Sequence, residues 1–219
     1  MKEILRFLET LQSNNNKAWF DANRENYQEM RQKFLQITEL LIHEIRSFDQ
    51  QIPYQDPRKC VFRIFRDLRF SKDKLPYKNN FGAFIARDGR KGGNSGYYFH
   101  IQPGASFIAG GLFMPDAPRL KAIRNDIYQN PYDLLEILED EAFIRMFTLF
   151  DGDKLKIAPK GFPKDFEHID LLRYKSFSPM MNLSDEELLS PDMLNIVVSG
   201  FRKITPLNHY LNHVIDHIL

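Results

Sequence analysis

Gly96-Tyr97-Tyr98-Phe99-His100-Ile101-Gln102-Pro103-Gly104-Ala105-Ser106-Phe107-Ile108-Ala109-Gly110-Gly111-Leu112-Phe113 decides the fold class. Two runs rich in aromatic and β-branched residues flank Pro103-Gly104, and proline followed by glycine suits the two middle positions of a type II turn. The spacing predicts strands over 96–102 and 105–113, joined as a tight antiparallel hairpin. Tyr98, His100 and Gln102 then share one face of the first strand, with Tyr97, Phe99 and Ile101 on the other. Gly110-Gly111 within the second strand marks a bulge or the close approach of another backbone.

Upstream, Val61–Phe65 and Gly82–Arg87 have the same character, so the whole region reads as an antiparallel meander. Asp88–Gly96 contains four glycines and resembles a phosphate loop. A strand follows it, however, whereas phosphate loops aim backbone N–H groups from a helix start, so it reads as a hairpin loop.

Helical periodicity brackets this meander. Ile4, Leu5, Phe7, Leu8 and Leu11 form one stripe, Ser13 and Asn14 to Asn16 supply stop and cap, and Tyr27, Met30, Phe34, Ile37, Leu41, Ile45 and Phe48 mark a long helix over 23–48. Downstream, Asp116 caps a helix with Pro118 just inside, Asn130-Pro131 punctuates it, and Asp165 is a candidate cap for a short helix ending near Leu172. Leu155–Ala158 and Tyr174–Phe177 are candidate strands. Ser184 and Glu187 have capping-box spacing, Ser190-Pro191 offers a second start, and Thr205-Pro206 should kink or restart the last helix. These elements predict an α+β fold in a single domain over 1–219: an antiparallel sheet of four to six strands covered by helices, with N- and C-terminal helices packed around it. The helix from about 205 would be a family-variable extension.

The chain has 219 residues, 43% of them apolar, with 19 Phe and 9 Tyr, enough for a sizeable core. Cys60 is the only cysteine, which excludes an internal disulfide and a thiol metal cluster and fits a cytoplasmic protein. No apolar run approaches the length of a membrane helix, so no membrane partner is expected. The net charge of +1 hides an asymmetry. Between Asp56 and Lys91 eleven Lys and Arg face four Asp, a local charge of +7, while the other 19 basic and 25 acidic residues give −6. Clustered positive charge concentrates anions, so a phosphorylated metabolite or a nucleic acid is the expected partner.

Within that segment Arg66, Arg69, Lys72, Lys74 and Lys78 outnumber the local acids, and Pro76 makes the run a strand that leaves the sheet as a loop. Arg63 lies in a strand pattern and needs an acceptor, for which Asp67 is nearest; the pair would hold the loop. Tyr77 offers a ring for stacking on a base or sugar. His100, on the polar face of its strand, is the candidate acid or base if that face lies beside the loop; otherwise it is hydrogen-bonded within the sheet. Ser71 and Lys74 have the spacing of a serine nucleophile and lysine base, but Pro76 argues against the helix that such a pair needs. His209, His213 and His217 step by four among Asn208, Asn212 and Asp216, a pattern that reads as a solvated helix face rather than a metal site. No metal and no cofactor is expected.

Several segments together resemble the family catalogued as domain of unknown function 2461. They are Phe7 to Leu11 through Asn15-Asn16 and Trp19-Phe20, the block Phe62 to Lys78, Gly96 to Ile101, and Gly110-Gly111 before Pro115. Leu155 through Pro159-Lys160-Gly161 and Leu171-Leu172-Arg173 complete the likeness, which extends to about Phe201. The resemblance implies one domain with an anion-directed surface and brings no catalytic residue or cofactor. It also points to Lys160 and Arg173 as a second basic patch. Three functions remain open: an anion-binding domain, an enzyme acting on a phosphorylated small molecule through His100, and an interaction module using the 23–48 helix.

Overall fold

The computed structural model describes residues 1–67, 69 and 74–217. In chain order the elements are α1 (Lys2–Ser13), α2 (Lys17–Ala22), α3 (Arg24–Phe48), α4 (Pro57–Cys60), β1 (Phe81–Ala86), β2 (Gly96–Ile101) and β3 (Ser106–Gly111). There follow α5 (Ala117–Gln129), α6 (Tyr132–Leu138), α7 (Glu141–Met146), β4 (Thr148–Leu149), α8 (Ile169–Leu172), β5 (Pro179–Leu183), α9 (Asp185–Leu189) and α10 (Met193–Asp216). The fold is α+β, with one five-stranded antiparallel sheet in the order β1-β2-β3-β5-β4. Its residues group into two compact units: Met1–Ile85, Tyr98–Ile108 and Asn182–Val198 form the first, and Ala86–Tyr97, Ala109–Met181 and Ser199–Leu219 the second.

In the first unit the amphipathic stripes of α1 and α3 meet one face of the strands. Phe7 stacks on Phe81 at 6.4 Å, and Phe34 lies between Phe81 at 5.3 Å and Phe99 at 6.1 Å. Phe34 and Leu41 are both 0% exposed. The stripe on α3 is therefore core, and the reading of that helix as an interaction surface is corrected. Burying a ring of this size contributes about 2–3 kcal/mol, so the stripe has a sufficient structural purpose. The expected strand over 61–65 is reduced to two isolated bridges, Val61 to Ala83 and Phe65 to Tyr77, as the chain turns toward the basic loop. At the hairpin, Ala105 N–H donates to Gln102 O at 3.0 Å and Gly104 has φ +68°, the positive angle that a type II turn requires.

In the second unit α10 supplies the core. The Tyr97 ring meets Phe201 edge-on at 5.3 Å, and its hydroxyl bonds Thr205 Oγ1 at 3.0 Å. A Cβ on Gly110 would stand 2.2 Å from Ile204 Cγ2, and one on Gly111 would stand 1.9 Å from the Phe177 carbonyl oxygen. The glycine pair is thus a place of close approach. Asn208 Oδ1 accepts the Gly111 N–H at 2.8 Å and Asn212 Oδ1 accepts the Ser95 N–H at 2.9 Å, so two side chains of the helix satisfy the backbone at the end of β3 and just before β2.

Several local readings are revised. α10 runs through Pro206 without restarting, because Phe201, Ile204, Leu207 and Leu211 are all 0% exposed and their burial offsets the roughly 3 kcal/mol cost of an internal proline. Ser190 Oγ accepts the Asp192 N–H, and the helix begins at Met193 rather than Pro191. Leu155–Ala158 is not a strand: it is tied to Arg173 by a Leu155 N–H to Arg173 O bond of 2.8 Å. The cap of α8 is His168, not Asp165. Asp116 and Ser184 cap α5 and α9 as their spacing predicts.

Candidate functional site

The described parts of the basic segment on either side, 64–66 and 76–78, pair as a short antiparallel stem within the first unit. Arg66 N–H donates to Pro76 O at 3.0 Å and Lys78 N–H to Ile64 O at 2.8 Å, which places Phe65 opposite Tyr77. In this pairing the N–H and C=O of Tyr77 point away from Phe65. The Asn15 side-chain amide receives both. Its Nδ2 donates to Tyr77 O at 2.9 Å and its Oδ1 accepts Tyr77 N–H at 3.1 Å, so one asparagine stands in for a neighbouring strand. Phe20 stacks on the Tyr77 ring at 3.9 Å and 13°, with Phe65 edge-on to Phe20 at 5.8 Å. The two sequence blocks around Asn15-Phe20 and Phe62-Lys78 therefore meet at the base of the loop. Sequence reasoning saw Asn14 to Asn16 only as helix punctuation; the presence of both blocks in one family likeness was the available signal.

This arrangement corrects two expectations. Tyr77 is 5% exposed and stacked on Phe20, so its ring belongs to the stem and is not offered to a ligand. Asp67 does not pair with Arg63. Its carboxylate receives Arg69 Nε at 3.0 Å, Arg69 Nη2 at 2.6 Å and the Arg69 N–H at 3.2 Å, and these bonds hold the carboxyl below the usual range, with a further contribution from the charge of Arg63. The two residues close a local ring on the outer arm of the loop because a guanidinium two positions away can fork onto both oxygens. Arg63, Arg69 and Lys74 are exposed; Arg66 and Lys78 are half-buried. Lys72 and Ser71 lie outside the described residues.

Lys78 links the stem to β2. Its Nζ lies 5.5 Å above the Phe62 ring, and Phe62 stands edge-on to Tyr98 at 6.0 Å. Tyr98, His100 and Gln102 share one face and are joined in sequence. The Tyr98 hydroxyl donates to His100 Nδ1 at 2.9 Å, and His100 Nε2 donates to Gln102 Oε1 at 3.2 Å. His100 is 9% exposed and lies flat on Phe107 at 4.4 Å. Burial lowers its pKa, the Lys78 charge adds to this, and the bond to Gln102 opposes it; burial also pushes Tyr98 up to about 12. His100 is thus beside the basic segment, as the acid or base reading required, yet both ring nitrogens are engaged within the strand.

Lys160 and Arg173 belong to the second unit. Lys160 is exposed in a turn closed by Gly161 at φ +95°. Arg173 is spent on structure: Nε donates to Leu155 O at 2.6 Å and Nη1 reaches Asp170 at 3.1 Å, which clips the 155–161 segment to α8. On α10, the His213 and His217 rings are 4.1 Å apart and His217 Nδ1 bonds His213 O. Among the described residues no group of three or more His, Cys, Asp or Glu is arranged to hold a metal ion, and no helix is long and apolar enough to cross a membrane.

Comparison with curated proteins and with solved structures found no match. One family model does match, over residues 3–210, which takes in the Asn15 clamp, the basic loop, β1 to β5 and α10 as far as Tyr210. The chain belongs to the family described as conserved hypothetical protein (DUF2461).

Proposed function

We propose that the protein binds a phosphorylated ligand, a metabolite or a nucleic acid, through the Arg63–Lys78 segment. The observation that carries this reading is the +7 charge between Asp56 and Lys91, within which the exposed Arg63, Arg69 and Lys74 lie beside a stem clamped by Asn15. A loop whose base is fixed and whose arms are cationic loses less entropy on meeting an anion than a free tail does. A cytoplasmic location belongs to the same reading, since the one cysteine, Cys60, is a buried thiol.

The test is binding of tripolyphosphate by calorimetry and of labelled DNA and RNA oligonucleotides by anisotropy across a salt series. The protein is compared with an Arg63→Glu, Arg69→Glu, Lys74→Glu variant. Tenfold or greater weakening in the variant is the expected result, with a salt slope reduced by roughly 0.7–0.9 for each phosphate that is no longer neutralised. A folded wild type that binds none of these anions would refute the reading. The enzyme reading through His100 is weaker, because a catalytic acid or base needs a ring nitrogen free to face its substrate.

A further inference from the structure

The groove between α5 and α10, within the second unit, brings two imidazoles together. It measures about 690 Å³ and is lined by Ala122 and Asp126 of α5, by His213 and Val214 of α10, and by His217 just past the end of that helix. In sequence, the company of Asn208, Asn212 and Asp216 makes the histidine stripe read as a solvated face. The structure removes the ground for that reading. Asn208 and Asn212 are 1% and 3% exposed and serve the Gly111 and Ser95 amides, and Asp216 is taken by both terminal nitrogens of Arg87. His213 and His217 stay exposed at this end of the helix, with the groove beside them.

Two details of the rings are those of a metal chelate. Their centroids lie 4.1 Å apart. With Zn–N bonds of about 2.0–2.1 Å and tetrahedral angles, two imidazoles on one ion have centroids about 5 Å apart, so a shift of one exposed ring by about 1 Å reaches that geometry. The second detail is a fixed tautomer. His217 Nδ1 stands 2.7 Å from the His213 carbonyl oxygen, which can only accept, so the proton is on Nδ1 and the Nε2 lone pair is left for a ligand. A carbonyl that holds the far nitrogen in this way is the usual means of orienting a ligating histidine. Across the groove Asp126 is fixed in its turn, its Oδ2 accepting the Tyr210 hydroxyl at 2.6 Å. Two imidazoles do not make a closed structural centre, and among the described residues no set of three His, Cys, Asp or Glu is arranged for one. They suit an open site, whose other positions go to water or to a molecule in the groove.

We infer that His213 and His217 bind a divalent transition-metal ion of the kind imidazole prefers, Cu²⁺, Ni²⁺ or Zn²⁺, in an open site on the α5–α10 groove. The site is independent of the anion reading, since it lies in the second unit and uses none of the basic segment.

The test is calorimetric titration of the full chain, without an added histidine tag, with CuCl₂, NiCl₂, CoCl₂, ZnCl₂ and MgCl₂. One ion should bind per chain, with affinity rising from Co²⁺ through Ni²⁺ to Cu²⁺ and no binding of Mg²⁺. His213→Ala and His217→Ala should each weaken binding about tenfold or more, because two linked ligands are reduced to one. Both side chains are exposed, so the variants should fold; His43→Ala, an exposed histidine of the first unit, should change nothing. Electron paramagnetic resonance of the Cu²⁺ complex is the second readout, with hyperfine coupling from two imidazole nitrogens in wild type and from one in either variant. Absence of binding, or binding unaltered in both variants, overturns the inference. Mg²⁺ bound as tightly as Ni²⁺ overturns it as well, since that order belongs to oxygen ligands.

Discussion

Asn15→Ala tests whether one side chain holds the base of the loop. Asn15 satisfies both the N–H and the C=O of Tyr77, at 3.1 and 2.9 Å, and those groups face away from the Phe65 pairing. Truncation removes two hydrogen bonds of about 1 kcal/mol each, so about 2 kcal/mol is expected. For a domain of this size each kcal/mol is worth about 2–4 °C, which gives a fall in Tm of about 4–8 °C by calorimetry. Hydrogen exchange supplies the local readout: the Tyr77 amide should exchange about thirtyfold faster, the factor that corresponds to the same energy. Asn14→Ala serves as the control. Its amide only bonds the exposed Thr10 carbonyl, and its loss should stay within about 0.5 kcal/mol. A Tm change below 1 °C in Asn15→Ala, with Tyr77 exchange unaltered, would refute the clamp.

Gly111→Ala should cost about 4 kcal/mol or abolish soluble expression, because the new Cβ meets a backbone carbonyl at φ +77°; a variant within 2 °C of wild type in Tm would contradict the close approach. Folding lowers the pKa of His100, so the unfolded chain binds more protons below its usual 6.5; stability should fall as pH drops from about 7 through the folded value and level off below it. Urea unfolding at pH 7.5 and 5.0 should show this loss in wild type and a smaller one in His100→Gln, and equal losses would contradict it. Asp216 is held below its ordinary 3.8 chiefly by hydrogen bonds from Arg87, at 2.7 and 2.6 Å. Its contribution is present above about pH 4 and disappears as pH falls through the folded value; being 43% exposed, it is worth only about 0.5–1 kcal/mol. The Tm difference between wild type and Asp216→Asn should therefore vanish near pH 2, and persistence there would show another cause.

The parts legible in the sequence were those written in local chemistry. Pro103-Gly104 specified its turn, Ser184 and Glu187 their capping box, and the stripe from Met30 to Ile45 the buried face of α3, because each depends on residues close together in the chain. The +7 segment was visible for the same reason. Pairings across distance were not. Tyr77 reads as an exposed aromatic among cations, and only Phe20, 57 positions earlier, makes it part of the stem. The bond from Arg173 to the Leu155 carbonyl, 18 positions earlier, was hidden for the same reason, whereas the Asp67 carboxylate went to its close neighbour Arg69 instead of Arg63. Pro206 misled because the rule for internal proline takes no account of four fully buried neighbours on the same helix.

The asparagine bonds from α10 to Ser95 and Gly111 join positions 117 and 97 residues apart. During synthesis the ribosome delivers both amides long before it delivers Asn208 and Asn212. In that interval these amides can bond only water, and the cleft left by Gly110 has no Ile204 to fill it. The nascent chain therefore carries an unfinished sheet for as long as about a hundred residues take to make, at roughly 5–20 residues per second. A codon pause between Gly111 and Asn208 would prolong that exposure, which makes the stretch before α10 the place where translation speed governs the yield of folded protein.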